Sequence, residues 1–223
     1  TTATYAYVNL LNNLVEDGDT ATAVKAAKAL LKAAKNNNNV QCAANDIILA
    51  VEGKSAMAYV TTALKKGNRP YRVAALRDAG EFADGDVYAA IVKVMPKLSA
   101  EAKVDVLNWL GTMHAAEQVG AVISYTTAPE IEVATAAIKA ASKIGGDEAL
   151  QAIIGLLADN KAAYSALLSF NGNIGDGLVA ALDNEKVQVN ALKLIGTRRV
   201  KAASEKVFAL LDSKNAEVAQ AAK

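Results

Sequence analysis

Six times along this chain a short apolar-periodic stretch runs into a glycine: Ile47 to Gly53 (IILAVEG), Ala74 to Gly80 (AALRDAG), Asp105 to Gly111 (DVLNWLG), Lys139 to Gly145 (KAASKIG), Ala166 to Gly172 (ALLSFNG) and Asn190 to Gly196 (NALKLIG). The glycines stand 27, 31, 34, 27 and 24 residues apart. That is about the length of a helix pair, and self-similarity at such a period marks a repeat architecture. Behind the glycines come second apolar stretches, such as Val87, Ile91, Val94, Leu98 and Leu150, Ile153, Ile154, Leu157. Their spacing is that of an amphipathic helix. The predicted unit is helix A, tight turn, helix B.

Turn chemistry points the same way. Glycine fits the left-handed residue just past a helix end, and Asp in Gly85-Asp86, Gly146-Asp147 and Gly175-Asp176 is placed to cap the helix that follows. Pro70 and Pro129 fall where a helix A begins, a position that tolerates the missing N–H, whereas Pro96 lies inside a helix B and is expected to kink it. Ahead of the first glycine copy, Tyr5 to Val15 and Thr20 to Lys35 read as one more helix pair, joined by Glu16-Asp17-Gly18-Asp19 and followed by a turn over Asn36 to Asn39. The total is about seven units, with the fifth glycine-marked one, Lys161 to Glu185, shortened. Asn215 to Lys223 reads as the opening of another helix A, and because a repeat buries its apolar face only against a neighbour or a cap, the natural chain is expected to continue. The opening Thr1-Thr2-Ala3-Thr4 has no initiator Met and reads as processed or trimmed.

The composition suits this scheme. There are 48 Ala among 223 residues, aromatics make up 5%, and Pro occurs three times; small helix formers favour closely packed helices over a sheet of β-branched and aromatic residues. The expected fold is therefore all-α, an α-α superhelix (solenoid) forming a single domain over residues 1–223.

Several functional classes are poorly served by the sequence. With 24 Lys and Arg against 23 Asp and Glu, no global field recruits a polyanion or an anionic membrane. Apolar runs such as Val119 to Ile123 and Ala149 to Ala158 fall short of the roughly 20 residues that span a bilayer, so no membrane insertion is expected. One cysteine, Cys42, and one histidine, His114, cannot make a disulfide framework or a two-His metal site within one chain. His114 reads as a turn residue and Cys42 as a small buried helix residue. Gly53-Lys54-Ser55 lacks the first glycine of a phosphate loop and follows a helix, and Gly172 to Gly177 reads as a loosened turn. The acidic turns Glu16 to Asp19 and Glu81, Asp84, Asp86 fit helix capping better than a calcium loop.

Lys25, Lys28, Lys32 and Lys35, at 3, 4, 3 spacing, line one helix face. They contain no Arg and no interleaved aromatic, and read as a solvated outer face rather than a nucleic-acid surface; Arg198, Arg199 and Lys201 at one turn read likewise. Trp109 and Phe170 are expected in the core. Tyr59, Tyr88 and Tyr125 lie on helix B stretches, where they either pack or anchor a partner.

Segments such as Asn68 to Gly80 (NRPYRVAALRDAG), Ala128 to Gly145 (APEIEVATAAIKAASKIG) and Glu185 to Gly196 (EKVQVNALKLIG) resemble HEAT repeats, especially the short bacterial variety also found in phycobilin-lyase-like proteins. The resemblance covers almost the whole chain. Arg72 alone matches that family's recurring Arg, while Glu132, Gln188 and Ala219 stand at comparable places, so a continuous Asp–Arg ladder is not expected. The resemblance implies a stacked α-solenoid whose B helices line the concave surface. It also implies a non-catalytic scaffold or protein-interaction module, a monomer whose partner is a protein or another domain of its own chain, without cofactor, metal or catalytic residue and without nucleic acid. The alternatives it implies are an accessory region of a secreted carbohydrate-active enzyme and a chromophore-lyase-like protein. The resemblance extends both to modules of secreted or periplasmic enzymes and to free-standing cytoplasmic scaffolds and does not choose between them; the expected location leans to periplasmic or secreted, with a signal peptide removed.

Overall fold

The computed structural model describes residues 2–34 and 37–223, and every regular element among them is a helix. Close contacts divide the chain into two compact units, Thr1–Trp109 and Leu110–Lys223.

The first unit holds α1 (Thr2–Glu16), α2 (Thr20–Ala33), α3 (Asn38–Glu52), α4 (Met57–Lys66), α5 (Arg69–Gly80), α6 (Gly85–Val94) and most of α7 (Ala100–Thr112). Odd-numbered helices pack in series, α1 on α3 and α3 on α5, while α2 packs on α1 and α3, and α4 packs on α5 and α6. The seams are lined with alanine: Ala23, Ala27, Ala44, Ala63, Ala75 and Ala79 are fully buried, beside larger Ile48, Leu49 and Leu64. Small side chains let the helix axes approach, and the aliphatic ones supply the burial, each contributing ~1.5–3 kcal/mol.

The second unit continues with α8 (Val119–Ile123), α9 (Ile131–Ile144), α10 (Asp147–Gly155), α11 (Lys161–Leu168), α12 (Gly175–Ala181), α13 (Gln188–Arg198), α14 (Ser204–Leu210) and α15 (Ala216–Ala221). Here α9, α11, α13 and α15 pack in series, with α8, α10 and α12 in series beside them. Each unit is thus two-layered. The sequence-predicted face Leu150, Ile153, Ile154, Leu157 is buried, as are Trp109 and Phe170. Lys161 to Glu185 is indeed short, with helices of 8 and 7 residues.

The repeated glycine is not one structural feature. Gly53 and Gly145 end their helices at positive φ (53° and 81°), and Gly172 is also positive. Gly80, Gly111 and Gly196 instead lie inside helices, and the left-handed position after Gly111 and Gly196 is taken by His114 (φ 49°) and Arg199 (φ 54°). Gly111 serves a different purpose: an added Cβ would stand 2.8 Å from the Ala140 Cα of α9, so this glycine permits a close backbone approach.

The capping expectation also changes. Asp86, Asp147 and Asp176 sit in the first turns of α6, α10 and α12, where an acid interacts favourably with the helix dipole, but they do not cap. Asp19 and Asp84 do, accepting from the Thr22 and Val87 amides. Asparagine is the recurrent cap of the odd helices: Asn37, Asn68, Asn160 and Asn215 each accept from an amide two or three residues ahead. Its short carbonyl side chain satisfies donors the helix leaves open, worth ~1 kcal/mol per cap. Pro70 lies in the first turn of α5, Pro129 just outside α9, and at Pro96 the α-helix gives way to a 3-10 turn rather than kinking. The expected Asn36 to Asn39 turn is already helical from Asn38; Lys35 and Asn36 lie outside the described residues.

One stretch, Asn38–Lys66, is long and apolar enough on paper to cross a bilayer, at 29 residues. Its helical path is broken at Gly53 (φ 53°, ψ −130°), which leaves helices of 15 and 10 residues. Neither reaches the roughly 20 residues required.

Candidate functional site

In the first unit α3 packs on α2 and on α5, and an open groove of about 970 Å³ lies between α2 and α4. Lys28, Leu31 and Lys32 of α2 form one wall, and Ala58, Tyr59, Thr62 and Lys66 of α4 form the other. Asn38, Gln41, Asn68 and Tyr71, from the first turns of α3 and α5 and the cap before α5, complete the lining.

Among the described residues no acid lines this groove. Lys28 Nζ is paired at 2.6 Å with Glu52 and sits 5.7 Å from the centroid of the Tyr59 ring, within the ~6 Å at which a cation is attracted to the ring face. The hydrogen bond to Glu52 raises the Lys28 ammonium above its ordinary range, against some loss of hydration. A nucleophilic lysine needs the opposite shift. Lys32 and Lys66 are exposed, and no ion pair engages them among the described residues. The Asn68 amide donates to the Asn38 carbonyl oxygen while the Asn68 oxygen accepts from the Tyr71 amide, which leaves the Asn38 amide as a donor at the groove wall. Tyr71 is buried, its hydroxyl reaches Asn45 Oδ1 at 3.4 Å, and burial pushes its pKa up to about 12, so it stays protonated. The groove therefore offers cations and N–H donors and can hold an electron-rich, negatively charged ligand.

The sequence marks Lys28 and Lys32 in one stripe and Tyr59 apart from it; the structure brings all three together with Lys66. Lys28 and Lys32 are thus walls of a groove rather than a free outer face. Lys25 is exposed, and Lys35 is outside the described residues. What the sequence reading missed is Lys66, Asn38, Gln41 and Asn68. Their signal was the repeat itself, because residues about one period apart, such as Asn38 and Asn68, meet at the same place on successive helices.

The other marked residues are structural. His114 is exposed, holds the left-handed position after α7, and places Nδ1 2.7 Å from the Lys143 carbonyl, which fixes the proton on that nitrogen as donor. Cys42 is half-buried rather than buried; loss of hydration raises its thiol, with Asp46 and Asp78 adding to the effect, which moves it away from a reactive thiolate. Tyr88 packs edge-on against Trp109 at 5.5 Å, and Tyr125 is half-buried. Arg198 donates to the Leu168 carbonyl, and Lys54 pairs with Asp84.

The structure assembles two charged clusters, of which the sequence marks only Arg72. Arg72 is 5% exposed and donates to Asp105 at 2.8 Å and to the Gly67 carbonyl at 3.0 Å, with Arg69 at 3.4 Å from the same carboxylate. Asp46, Arg77 and Asp78 meet nearby, with Arg77 bridging the two acids at 3.1 and 2.7 Å. Burial and then the Asp78 carboxylate push Asp46 up to about 7, and one Asp78 oxygen is buried without a donor.

Compared with models of known protein families and with curated protein sequences, the chain matches none.

Proposed function

We propose that this protein is a non-catalytic α-solenoid of HEAT-like helix pairs that serves as a protein-interaction module, with the groove between α2 and α4 as its partner-holding surface. One observation carries the reading. The long-range side-chain hydrogen bonds named in both units span 23 to 36 residues, from Lys206 to Asp183 at the short end to Arg69 to Asp105 at the long end, and Asn38–Asn68, His114–Lys143 and Arg198–Leu168 fall between. Each bond joins a helix pair to the next one. That nearest-neighbour pattern is how a quasi-one-dimensional stack is held together, and such stacks expose long surfaces built from one layer of helices. The α2–α4 groove lies on the layer that the HEAT resemblance assigns to the concave side.

Two measurements test the reading. Small-angle scattering should give a radius of gyration clearly above the ~17 Å of a compact 223-residue domain. A photo-crosslinking residue placed at Lys32 or at Lys66 should capture the same partner, and one placed at exposed Val73 on α5 should not. A compact radius, or capture that is equal or absent at all three positions, overturns it.

A further inference from the structure

We infer that the α2–α4 groove takes an acidic peptide segment in extended conformation, with carboxylates on Lys32 and Lys66. This rests on the interaction-module reading and names the chemistry of the partner at that site.

The argument is a donor inventory. Among the described residues Lys32 and Lys66 are unpaired cations on opposite walls, the Asn38 amide and the Gln41 side chain have no partner, and no carboxylate lines the cavity. A ligand that satisfies such a surface supplies acceptors and negative charge, and complementarity of this kind sets partner choice more than raw affinity. Lysine is a compact point charge on a flexible stem, suited to single carboxylates whose spacing varies. Size agrees as well. From Tyr59 to Lys66 there are seven helical steps, about 10 Å at 1.5 Å per step, which an extended peptide of about three residues matches at ~3.3 Å each. Leu31 and Ala58 offer apolar surface for the peptide's own carbon atoms, and the Asn38 and Gln41 amides can reach its backbone carbonyls.

A nucleic acid fits less well. Its hold on a protein grows with the number of phosphates neutralised, and here two lysines are free, with no arginine, and of the two lining rings Tyr59 is faced by Lys28 and Tyr71 is buried.

Fluorescence anisotropy at low ionic strength tests the inference with three labelled probes: hexaglutamate, hexaglutamine and a ten-nucleotide single-stranded DNA. The double variant Lys32→Gln, Lys66→Gln changes two exposed side chains, and Lys186→Gln, Lys214→Gln in the second unit is the control; circular dichroism verifies that all three proteins are equally helical. Hexaglutamate should bind the native chain at least tenfold more tightly than hexaglutamine, lose at least tenfold in the groove variant, and stay within twofold in the control. Tighter binding of the DNA with the same loss overturns the inference in favour of a nucleic-acid groove. No hexaglutamate binding, or equal losses in both variants, overturns it outright. If the crosslinking pattern at Lys32 and Lys66 holds while hexaglutamate fails, only the partner's chemistry is wrong. If hexaglutamate binds in the groove while crosslinking finds no partner, the interaction-module reading falls instead.

Discussion

Two glycines that look alike in sequence should respond oppositely to alanine. Gly111 closes DVLNWLG and Gly196 closes NALKLIG, and both lie within helices. At Gly196 an added Cβ meets nothing within 4 Å, and the residue is exposed. Gly196→Ala therefore only narrows the unfolded ensemble and improves helix propensity, a gain of ~0.4–1 kcal/mol. At Gly111 the same methyl stands 2.8 Å from the Ala140 Cα and 3.2 Å from its Cβ. Neither atom is the end of a flexible side chain, so α7 and α9 must separate at that point. Overpacking of this kind costs ~1–3 kcal/mol, and opening the seam also loosens buried Ala137 and Ala141, so the net effect of Gly111→Ala is a loss of ~1–2 kcal/mol after the propensity gain. For a chain of this length 1 kcal/mol moves Tm by ~2–4 °C. Thermal and urea unfolding followed by circular dichroism should place the two variants on opposite sides of the native chain, separated by roughly 5 °C. If Gly111→Ala is as stable as Gly196→Ala, the close approach of α7 and α9 is not what this glycine provides, and the packing argument for the second unit fails.

Removing Arg72 leaves Asp105, itself 7% exposed, with only the longer Arg69 contact. Arg72→Ala should cost about 3 kcal/mol in urea unfolding, and Arg72→Met combined with Asp105→Leu should cost less than either single change; strict additivity would refute the pairing. Asp46 titrates near 7 in the folded protein against ~3.9 when unfolded, so between those values the folded state binds more protons. Stability from this group is greatest below about 4 and declines as pH rises through 7. Asp46→Asn, which keeps an acceptor for Arg77, should therefore gain about 1 kcal/mol over the native chain at pH 8 and little at pH 4, the figure being reduced for the 42% exposure of its side chain. A constant gap across that range would contradict it. In hydrogen exchange, α14, which buries none of its residues, should exchange well before α9, which buries eight; equal protection would show that burial does not set local stability here.

Helical content, pair boundaries and the buried faces were readable in the sequence because they are carried by periodicity, which needs only near neighbours. Leu150, Ile153, Ile154 and Leu157 are an example. The glycines were misread in half the cases because sequence cannot separate three reasons for one residue: positive φ at Gly145, close approach at Gly111, and an unforced helical position at Gly196. Asparagine caps went unnoticed because four different helices share a chemistry rather than a spacing. The groove was half visible. Lys28 and Lys32 share a helix and so fall in one pattern, but Lys66 joins them only through stacking, a relation that crosses 34 residues of chain. The Asp46–Asp78 pair was hidden for the same reason, each acid looking like ordinary surface polarity within its own helix.

The bonds that cross from one helix pair to the next give each seam its own address. The Lys143 carbonyl receives Asn171 Nδ2 and His114 Nδ1, the Leu168 carbonyl receives Arg198, and the Leu157 carbonyl receives Asn190. Each is a side chain on one pair matched to a helix end on another, with the Lys143 carbonyl serving the seams on both of its sides. Helix pairs in this chain are therefore not interchangeable bricks. Exchanging α9 and α10 for α11 and α12 would keep every helix and strand the carbonyls at 143 and 168 without their donors. A duplicated pair would carry its acceptor to a neighbour lacking the key. A helix pair copied into this chain would keep its cross-pair bonds only where both sides of a seam were copied together.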